Sequence, residues 1–486
     1  MDPLAVAAAA PPLDPDPAVR AAWMEALAAF VERQLGALDS ASADGLPPDE
    51  ARAVLAAAPR GVPATPLSLP DALAHLERLA AVGLQTNGPG YLAYVPGGGL
   101  FAAAVASFAA LVMNRFTGLA QASPGLARLE HDVVDLLCRE AGLPATAGGV
   151  LASGGSIANL SAVVAARVAR FGDAGDLSRA TLYTSTQTHR SVVKAARLAG
   201  IPPANARLIA VDGALRMDVA ALARALDDDR ARGLEPFLVV AAGGTTNTGA
   251  IDPLGPIADL CRDRGLWLHV DAAYGGCFLL TREGKQKLAG VERADSITLD
   301  PHKGFFLPYG CGCLLVRDAA TLVRSHADRG SYLQDLGDDD GTRSAADHGP
   351  ELSRNDRGVL LWLPFALHGL DAFRAALDDK LALARRLRAA LVHPDIEVPV
   401  EPELSIVAFR PRRRAGEPLA EWNARAVAWL ERINRRGRVH LSSTRLAVRD
   451  GEVTTLRACV LSFRTDAARI EAAIADVLGT LDDNVK

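Results

Sequence analysis

Lys303 is the residue whose chemistry stands out first in the sequence. It follows the short apolar run 296–299 in the segment SITLDPHKG, and it is one of only six lysines in the 486-residue chain. Open α/β sheets bind ligands at the carboxyl ends of their strands, so a lysine at such a place is positioned for chemistry. Its amine is the group that condenses with an aldehyde. The alternative is an ordinary surface lysine in a loop.

Asp271 adds a second requirement. It ends the apolar run 266–270, and a carboxylate at the end of a buried strand is costly unless a partner meets it. The protonated ring nitrogen of pyridoxal 5'-phosphate is such a partner, and an aspartate beside it keeps the ring an electron sink. A structural cap for the following helix is the alternative. Together, Lys303 and Asp271 predict pyridoxal 5'-phosphate, held as a Schiff base on Lys303.

Weaker signals follow other strand candidates. Gly155 and Ser156 lie in the segment SGGS before a predicted helix, where small residues and free amides suit a phosphate, although Ser156 also fits a plain N-cap. His189 follows a strand and could stack on a flat ring, or it is simply structural. Thr246 and His302 could place a hydroxyl and a phosphate donor at the same edge. Their agreement in position strengthens the cofactor prediction.

The elements that must position these residues alternate between strands and helices. Strands are predicted at 182–184, 207–211, 237–241, 266–270, 296–299 and 313–316, and helices at 157–170, 190–199, 218–231 and 256–264. This alternation predicts an α/β fold with a mostly parallel sheet flanked by helices.

Three regions are predicted along the chain. Residues 1–85 form an N-terminal helical segment, 86–365 a large cofactor-binding domain, and 366–486 a small α+β domain. The polar stretch 325–353 is too long for an ordinary connection, which is typical of a functional loop or a disordered segment. It contains a single tyrosine, Tyr332, whose hydroxyl is a candidate for chemistry.

Composition excludes several classes of protein. The net charge of −5 gives no basic surface for nucleic acid. The six scattered cysteines do not indicate disulfides, and the Cys311–Cys313 pair lies in an apolar run, so no metal is expected. The N-terminus lacks the basic region of a secretory signal, and the longest apolar run, 100–113, is too short to span a bilayer. We therefore expect a cytoplasmic protein without membrane or nucleic-acid partners.

Several motifs together resemble one family. They are SPGLARLEHDVVDLL (123–137), SGGSIANL (153–160), THRSVVKAA (188–196), GGTTNTGAIDPL (243–254), WLHVDAAYGG (267–276), ADSITLDPHK (294–303) and LRACVLSFRT (456–465). The chain resembles the pyridoxal-dependent group II decarboxylases, especially the aromatic-L-amino-acid decarboxylases, from about Pro89 to its C-terminus. The resemblance implies a type I (aspartate aminotransferase-like) fold, a homodimer with active sites at the subunit interface, and decarboxylation of an L-amino acid to an amine and CO₂.

The resemblance also implies roles for single residues. Lys303 binds the cofactor covalently, Asp271 holds the ring nitrogen, His189 stacks on the ring, Ala273 packs beneath it, and Thr246 lies near it.

The same resemblance gives contacts with the phosphate to Gly155, Ser156 and His302. Tyr332 matches the tyrosine that protonates the substrate carbon after CO₂ leaves. Lys303, Tyr332 and His189 are therefore the expected catalytic residues.

Some positions depart from the family pattern. Gly304 replaces the tryptophan that commonly follows the lysine. Gly97, Gly98 and Gly118 stand where aromatic amino acid decarboxylases look bulkier, and Arg115 adds a charge, which predicts a roomier or more polar substrate pocket.

Other functions are compatible with parts of this pattern. Oxidative deamination to an aldehyde and carbon–carbon lyase chemistry would use the same cofactor. A non-catalytic binding protein is the remaining alternative, but Lys303, Asp271 and His189 are all present. The presence of both Tyr332 and His189 favours simple decarboxylation.

Overall fold

The computed structural model describes residues 13–328 and 343–481. Its first part contains three helices: α1 (Pro17–Gly36), α2 (Pro48–Ala57) and α3 (Leu69–Ala80). The sequence determines where α1 and α3 begin, because Asp16 and Ser68 accept hydrogen bonds from first-turn amides and each helix has a proline in its first turn. α2 was not predicted from the sequence.

The described residues next form a seven-stranded sheet with the order β1-β7-β6-β5-β4-β2-β3. Its strands are β1 (Gly148–Ala152), β2 (Ala180–Ser185), β3 (Ala206–Ile209), β4 (Glu235–Ala242), β5 (Trp267–Asp271), β6 (Ser296–Leu299) and β7 (Gly312–Val316). The five strands from β6 to β3 run parallel, whereas β7 is antiparallel to both β6 and β1. The sheet is therefore mostly parallel, as predicted.

Helices cover both faces of this sheet or pack on the elements that cover it. They are α4 (Phe101–Met113), α5 (Pro124–Glu140), α6 (Gly155–Phe171), α7 (Arg190–Leu198), α8 (Val219–Ala231), α9 (Leu254–Arg264), α10 (Arg282–Lys287), α11 (Pro301–Gly304), α12 (Ala320–His326) and α13 (Arg357–His368). In β4, Leu238 and Val240 pack with α6 and α7, whereas Val239 and Ala241 pack with α8 and α9. Because successive side chains of a strand point to opposite faces, this alternation explains the continuous apolar runs in the sequence.

The C-terminal part combines three helices with a small antiparallel sheet. The elements are α14 (Leu370–Ala390), β8 (Ile396–Glu397), β9 (Ile406–Pro411), α15 (Leu419–Arg435), β10 (Ser442–Val448), β11 (Gly451–Cys459) and α16 (Ala467–Gly479). The strand order is β10-β11-β9-β8. Trp429 and Phe409 are fully buried between the sheet and its helices.

The predicted strands all appear, with ends that differ by one or two residues. β3 stops at Ile209 because Val211 instead pairs with Met217 in an isolated bridge. β1 was not predicted, since it is only five residues long and two of these are glycines.

Short 3₁₀ helices complete the described elements, at Ala120–Ala122, Pro203–Asn205, Gly275–Leu280, Val291–Arg293 and Ala345–Asp347. No single helix among the described residues has both the length and the apolar character needed to cross a membrane. The pair α13 and α14, bent by 89°, meets that test only when the two are taken together.

Candidate active site

One cavity of about 320 Å³ lies at the carboxyl edge of the large sheet. All eight of the predicted site residues that the structure describes line it: Gly155, Ser156, His189, Thr246, Asp271, Ala273, His302 and Lys303. Tyr332, the ninth, lies outside the described residues. The cavity thus brings together predicted residues that are separated by up to 148 positions in the chain.

The sheet topology explains why these residues meet. Gly155 follows β1, His189 follows β2, Thr246 follows β4 and Lys303 follows β6, while Asp271 is the last residue of β5. These five strands point in one direction, so their carboxyl ends share an edge. Ligands of open α/β sheets bind at this edge.

The turn into α6 forms a close cradle at one end of the cavity. A Cβ atom on Gly155 would lie 2.8 Å from Oδ2 of Asp300 and 3.2 Å from the Cβ of Ala273, so only glycine fits there. The helix N-cap is Gly154, so the N-cap alternative for Ser156 is wrong, and Ser156 lies in the first turn. First-turn amides have no partner within their own helix and can bind an anion.

His302 lines the same end of the cavity. Its Nδ1 lies 2.6 Å from the carbonyl oxygen of Cys311, and because a carbonyl only accepts, Nδ1 must carry the proton. Burial lowers the pKa of His302, although the charge of Asp300 opposes this. Nε2 of the neutral ring is therefore an acceptor, and His302 donates from this atom only when it is protonated.

Lys303 pairs with a buried carboxylate that was not predicted as a site residue. Its Nζ lies 2.9 Å from Oδ2 of Asp300. Burial by itself lowers the pKa of Lys303, but the charge of Asp300 and its hydrogen bond outweigh burial, so the pKa is raised. Oδ1 of Asp300 is buried and has no hydrogen-bond partner in the described part of the chain.

Asp271 and His189 lie at the other end, each held by hydrogen bonds. Oδ2 of Asp271 accepts from the side-chain amide of Asn159 at 3.0 Å, and Oδ1 accepts from the Ala273 backbone N–H at 3.2 Å. Only one oxygen therefore serves as a local cap. Nδ1 of His189 lies 2.7 Å from the hydroxyl of Ser191, at the start of α7.

The loop that carries Thr246 is tied to the C-terminal sheet. Arg457 of β11 donates to the carbonyl oxygens of Thr246 at 2.6 Å and Asn247 at 3.3 Å. Thr444 of β10 donates to the side chain of Asn247 at 2.8 Å. Arg457 is almost fully buried, and it also donates to the hydroxyl of Ser442 at 2.9 Å, so its guanidinium connects this loop to β10.

The glycines of the predicted substrate region do not leave space. A Cβ on Gly118 would lie 2.0 Å from the carbonyl oxygen of Leu352, one on Gly98 would lie 2.4 Å from Phe306, and one on Gly97 would lie 2.9 Å from Tyr309. The prediction that these glycines make the pocket roomier is wrong, because each allows a close approach of neighbouring atoms.

A close neighbour also explains why glycine stands at position 304. A Cβ there would lie 2.5 Å from the Cβ of Cys277. Cys277 is fully buried, so it occupies the space into which a larger residue at position 304 would extend.

Three residues that contact the site were missed from the sequence. Asn159 lies within a predicted helix, Asp300 within a recognised motif, and Arg457 on a strand that is distant in sequence. A buried aspartate just after a strand, the argument used for Asp271, would also have found Asp300. Among the described residues, no group of three or more histidine, cysteine or acidic side chains could hold a metal ion.

The residues around the cavity fit pyridoxal 5'-phosphate. The first turn of α6 with its glycine cradle and His302 suit the phosphate, Lys303 suits the aldehyde, and Asp271 suits the ring nitrogen. A crystal structure of Oryza sativa TDC with PLP and tryptamine matches this fold with a TM-score of 0.89 and 27% identity, over 98% of this chain and 100% of that one. Fold and site together are those of a pyridoxal phosphate enzyme.

Sequence comparisons specify the family. The pyridoxal-dependent decarboxylase conserved domain matches residues 48–412. Aromatic-L-amino-acid decarboxylase of Bacillus atrophaeus is 38% identical over 382 residues, 78% of this chain and 78% of that protein. Cysteine sulfinic acid decarboxylase of Rattus norvegicus is 37% identical over 274 residues, 54% of this chain and 55% of that protein. The chain belongs to the pyridoxal-dependent decarboxylase family and is an amino acid decarboxylase.

Proposed function

We propose that the enzyme decarboxylates aromatic L-amino acids and releases the amine. The observation that carries the reaction is the convergence of Lys303, Asp271 and His189 on one cavity. The aromatic class is supported by similarity to the decarboxylase of Bacillus atrophaeus over most of both chains. An exposed aromatic ring near the cavity, Tyr309, lies 5.8 Å from the ring of His302 and could contact such a side chain.

In this proposal each residue keeps the role that the family resemblance implies. Lys303 binds the cofactor, Asp271 keeps a proton on its ring nitrogen, and His189 and Ala273 hold the ring on its two faces. The bound cofactor supplies an electron sink for the charge left on the substrate carbon when CO₂ departs.

The phosphate is held by the first turn of α6, through Gly155 and Ser156, and by His302 in its protonated form. Tight binding at both ends of the cofactor would fix the reacting bond relative to the ring, which lowers the barrier by orientation.

A substrate panel tests the proposed class. The holoenzyme is incubated with tryptophan, tyrosine, phenylalanine, glutamate and cysteine sulfinate, and amine, aldehyde and peroxide are measured by mass and by absorbance. Amines formed from the aromatic substrates alone would support the proposal. Turnover of cysteine sulfinate alone would contradict it, and aldehyde with peroxide as the main products would contradict simple decarboxylation.

An acidic substrate is the second candidate, because Arg115 lies near the site. Arg115 and Tyr309 line one surface cavity of about 250 Å³, and the relative from Rattus norvegicus is named for an acidic amino acid. Arg115→Gln should reduce turnover of an acidic substrate and spare that of an aromatic one. Arg128→Gln, at a highly exposed arginine elsewhere, is the matched control.

Tyr332 is proposed as the proton donor to the substrate carbon after CO₂ has left. A phenol can act as a general acid, whereas phenylalanine keeps the ring and has no proton to give. Tyr332→Phe should therefore shift the products from amine toward aldehyde and peroxide in the presence of oxygen. Release of amine alone at the parent rate would assign the proton to another donor, with His189 the next candidate.

We also propose that the enzyme is a homodimer whose partner covers an apolar surface on α1 and α4. The groove between these helices is lined by Met24, Leu27, Val31, Phe101 and Phe108, with Val105 exposed at 42%. Contiguous exposed apolar side chains of this kind mark interaction sites.

Light scattering after size exclusion tests this dimer. Val105→Asp should give a monomer that loses activity, whereas Val427→Asp, at an equally exposed valine on α15, should stay dimeric. A Val105→Asp protein that remains a dimer would place the interface elsewhere.

A further inference from the structure

A series of buried and partly buried hydrogen bonds runs from Trp267 to the two residues at the ring end of the cavity. The Trp267 indole N–H donates to Oγ of Ser296 at 2.9 Å, and Ser296 contacts Nδ1 of His269 at 2.8 Å. Nε2 of His269 lies 3.1 Å from Oδ1 of Asn159, with Oγ1 of Thr298 at a longer 3.4 Å. These hydrogen bonds connect β5, β6 and α6.

Donor and acceptor rules fix which atom donates in each of these hydrogen bonds. The carboxylate of Asp271 only accepts, so the Asn159 atom facing it must be the amide nitrogen. Oδ1 of Asn159 then faces His269, whose Nε2 must carry a proton to donate. In the neutral ring, Nδ1 of His269 is then an acceptor for the Ser296 hydroxyl.

His269 is kept neutral in this arrangement. Burial lowers its pKa to about 4, although the charge of Asp271 opposes that shift. A neutral imidazole with its proton on Nε2 has one donor and one acceptor, and both are used. His269 therefore prevents Asn159 from turning its amide over, because the reversed amide would place its oxygen against Asp271 and its nitrogen against the His269 N–H.

The series of hydrogen bonds branches at Asn159. Its amide nitrogen donates to Oδ2 of Asp271 and to Oγ of Ser191, each at 3.0 Å. The backbone N–H of Ser191 points to Nδ1 of His189 at 3.3 Å, which identifies that nitrogen as an acceptor. The Ser191 hydroxyl therefore donates to Nδ1 at 2.7 Å, and the proton of a neutral His189 lies on Nε2.

We propose that Asn159 is a positioning residue that fixes, through one side-chain amide, both the carboxylate of Asp271 and the protonation site of His189. It is 1% exposed and lines the same cavity as the two residues that it orients. Its two N–H donors match the two acceptors, and its oxygen is held by His269. Loss of this amide should disturb both branches, whereas loss of the Ser191 hydroxyl should disturb only the branch to His189.

Alanine variants of the holoenzyme separate these branches. Asn159→Ala should weaken cofactor affinity about tenfold, shift the absorbance band of the bound cofactor and lower kcat by about a hundredfold, the lower and upper range of loss for a hydrogen bond to a charged group. Ser191→Ala should lower kcat about tenfold while cofactor affinity changes less than about twofold. Asn205→Ala, at a buried asparagine bonded to Ser178 away from the cavity, is the control.

¹⁵N NMR of protein labelled at its histidines reports the tautomer of His189, which a loss of stability alone would not change. In the parent, Nδ1 of His189 should show the shift of an unprotonated acceptor, and both Ser191→Ala and Asn159→Ala should move it toward a mixture of tautomers. The resonance is assigned with His189→Asn, a variant used only for this purpose.

Three results would overturn the proposal. The first is an Asn159→Ala enzyme with the absorbance, cofactor affinity and kcat of the parent. The second is an Asn205→Ala enzyme that loses as much cofactor affinity and kcat as is expected for Asn159→Ala. The third is an unchanged His189 tautomer in Ser191→Ala, which remains informative if Asn159→Ala does not fold. The spectral and affinity readouts need no substrate, so they do not depend on the proposed substrate class.

Discussion

At the Asp271 end of the cavity, the side chains of Asp271, Asn159 and His269 all have hydrogen-bond partners. At the Lys303 end, Oδ1 of Asp300 is buried without a partner in the described residues, and Nε2 of His302 lies 3.8 Å from the other oxygen of Asp300. The first end is satisfied before any ligand arrives. The second end keeps groups that a ligand could pair, because a protonated His302 can bind an anionic group and Lys303 can condense with an aldehyde.

The two ends should therefore serve different steps. The Asp271 end should orient the cofactor for the reaction, and the Lys303 end should bind it. A preorganised, water-excluded set of dipoles stabilises charge in the transition state without rearrangement, so the Asp271 end should control the rate of chemistry. Charges that are incompletely paired respond strongly to a new charged neighbour, so the Lys303 end should control cofactor uptake. Substitutions of equal size at the two ends should therefore change different measurements.

Lys303→Ala should produce the largest effect, because Lys303 is the proposed point of covalent attachment of the cofactor. Activity should fall by about 10⁴-fold or more, as when a covalent catalytic group is deleted elsewhere. Lys194→Ala, on the exposed side of α7, should retain activity. Borohydride reduction followed by peptide mapping checks the attachment, and cofactor found on Lys194 would refute the assignment.

Asp271→Asn tests the preorganised end. The fold should persist, but asparagine cannot hold a proton on the ring nitrogen by charge, so kcat should fall by about a hundredfold, roughly 2.7 kcal/mol of barrier. Asp295→Asn is the control, since that carboxylate accepts from the Leu268 amide at the opposite edge of the sheet. Near-normal turnover of Asp271→Asn would show that Asp271 is only a local cap.

Asp300→Asn makes the same change at the other end and should affect uptake more than turnover. Asp300 raises the pKa of Lys303, and only the neutral amine condenses with an aldehyde. Removing the charge should lower that pKa, so the curve of cofactor uptake against pH should move to lower pH.

The experiment follows absorbance when apoprotein is mixed with pyridoxal 5'-phosphate over a range of pH. Pyridoxal, which lacks the phosphate, separates this effect from relief of charge repulsion near the phosphate cradle. A midpoint that does not move would mean that Asp300 does not control the protonation of Lys303.

His302→Gln should have the smallest effect, a loss of cofactor affinity of about tenfold that excess cofactor recovers. Because burial lowers the pKa of His302 while a bound phosphate favours its protonated form, binding to the parent takes up a proton. Parent affinity should therefore fall as pH rises through the range in which His302 loses its proton, which lies below the range in which Lys303 does, and the variant should lose the dependence in that lower range. His440→Gln, at a histidine that stacks on Tyr91 outside the cavity, is the control, and equal pH dependence in parent and variant would contradict the assignment.

The sequence was informative where a residue follows a strand. Lys303, Asp271 and Thr246 could be placed at one edge because apolar runs mark buried strands and parallel strands end together. The same argument suggested Gly155, Ser156 and His302 for a phosphate, and the motifs of the family then implied these roles more specifically. Element ends were accurate to about two residues, which is the usual scatter of helix boundaries themselves.

Contacts between distant segments could not be predicted in the same way. Asn159 and Asp271 are 112 residues apart, and Arg457 and Thr246 are 211 apart, so no local pattern links them. Gly118 was misinterpreted for a related reason. A glycine in a sequence suggests free volume, but only the fold shows that the carbonyl of Leu352 already fills it.

The bond from Arg457 to the Thr246 loop has a consequence for how the enzyme is made. The large sheet is complete once β7 has been synthesised, but the loop beside the cavity lacks its donors until residues 444 and 457 have left the ribosome. A nascent chain arrested before that point would contain every residue proposed above to bind the cofactor and still hold one wall of the cavity loosely. Cofactor retention should therefore appear late in translation, with the arrival of β11 rather than of Lys303.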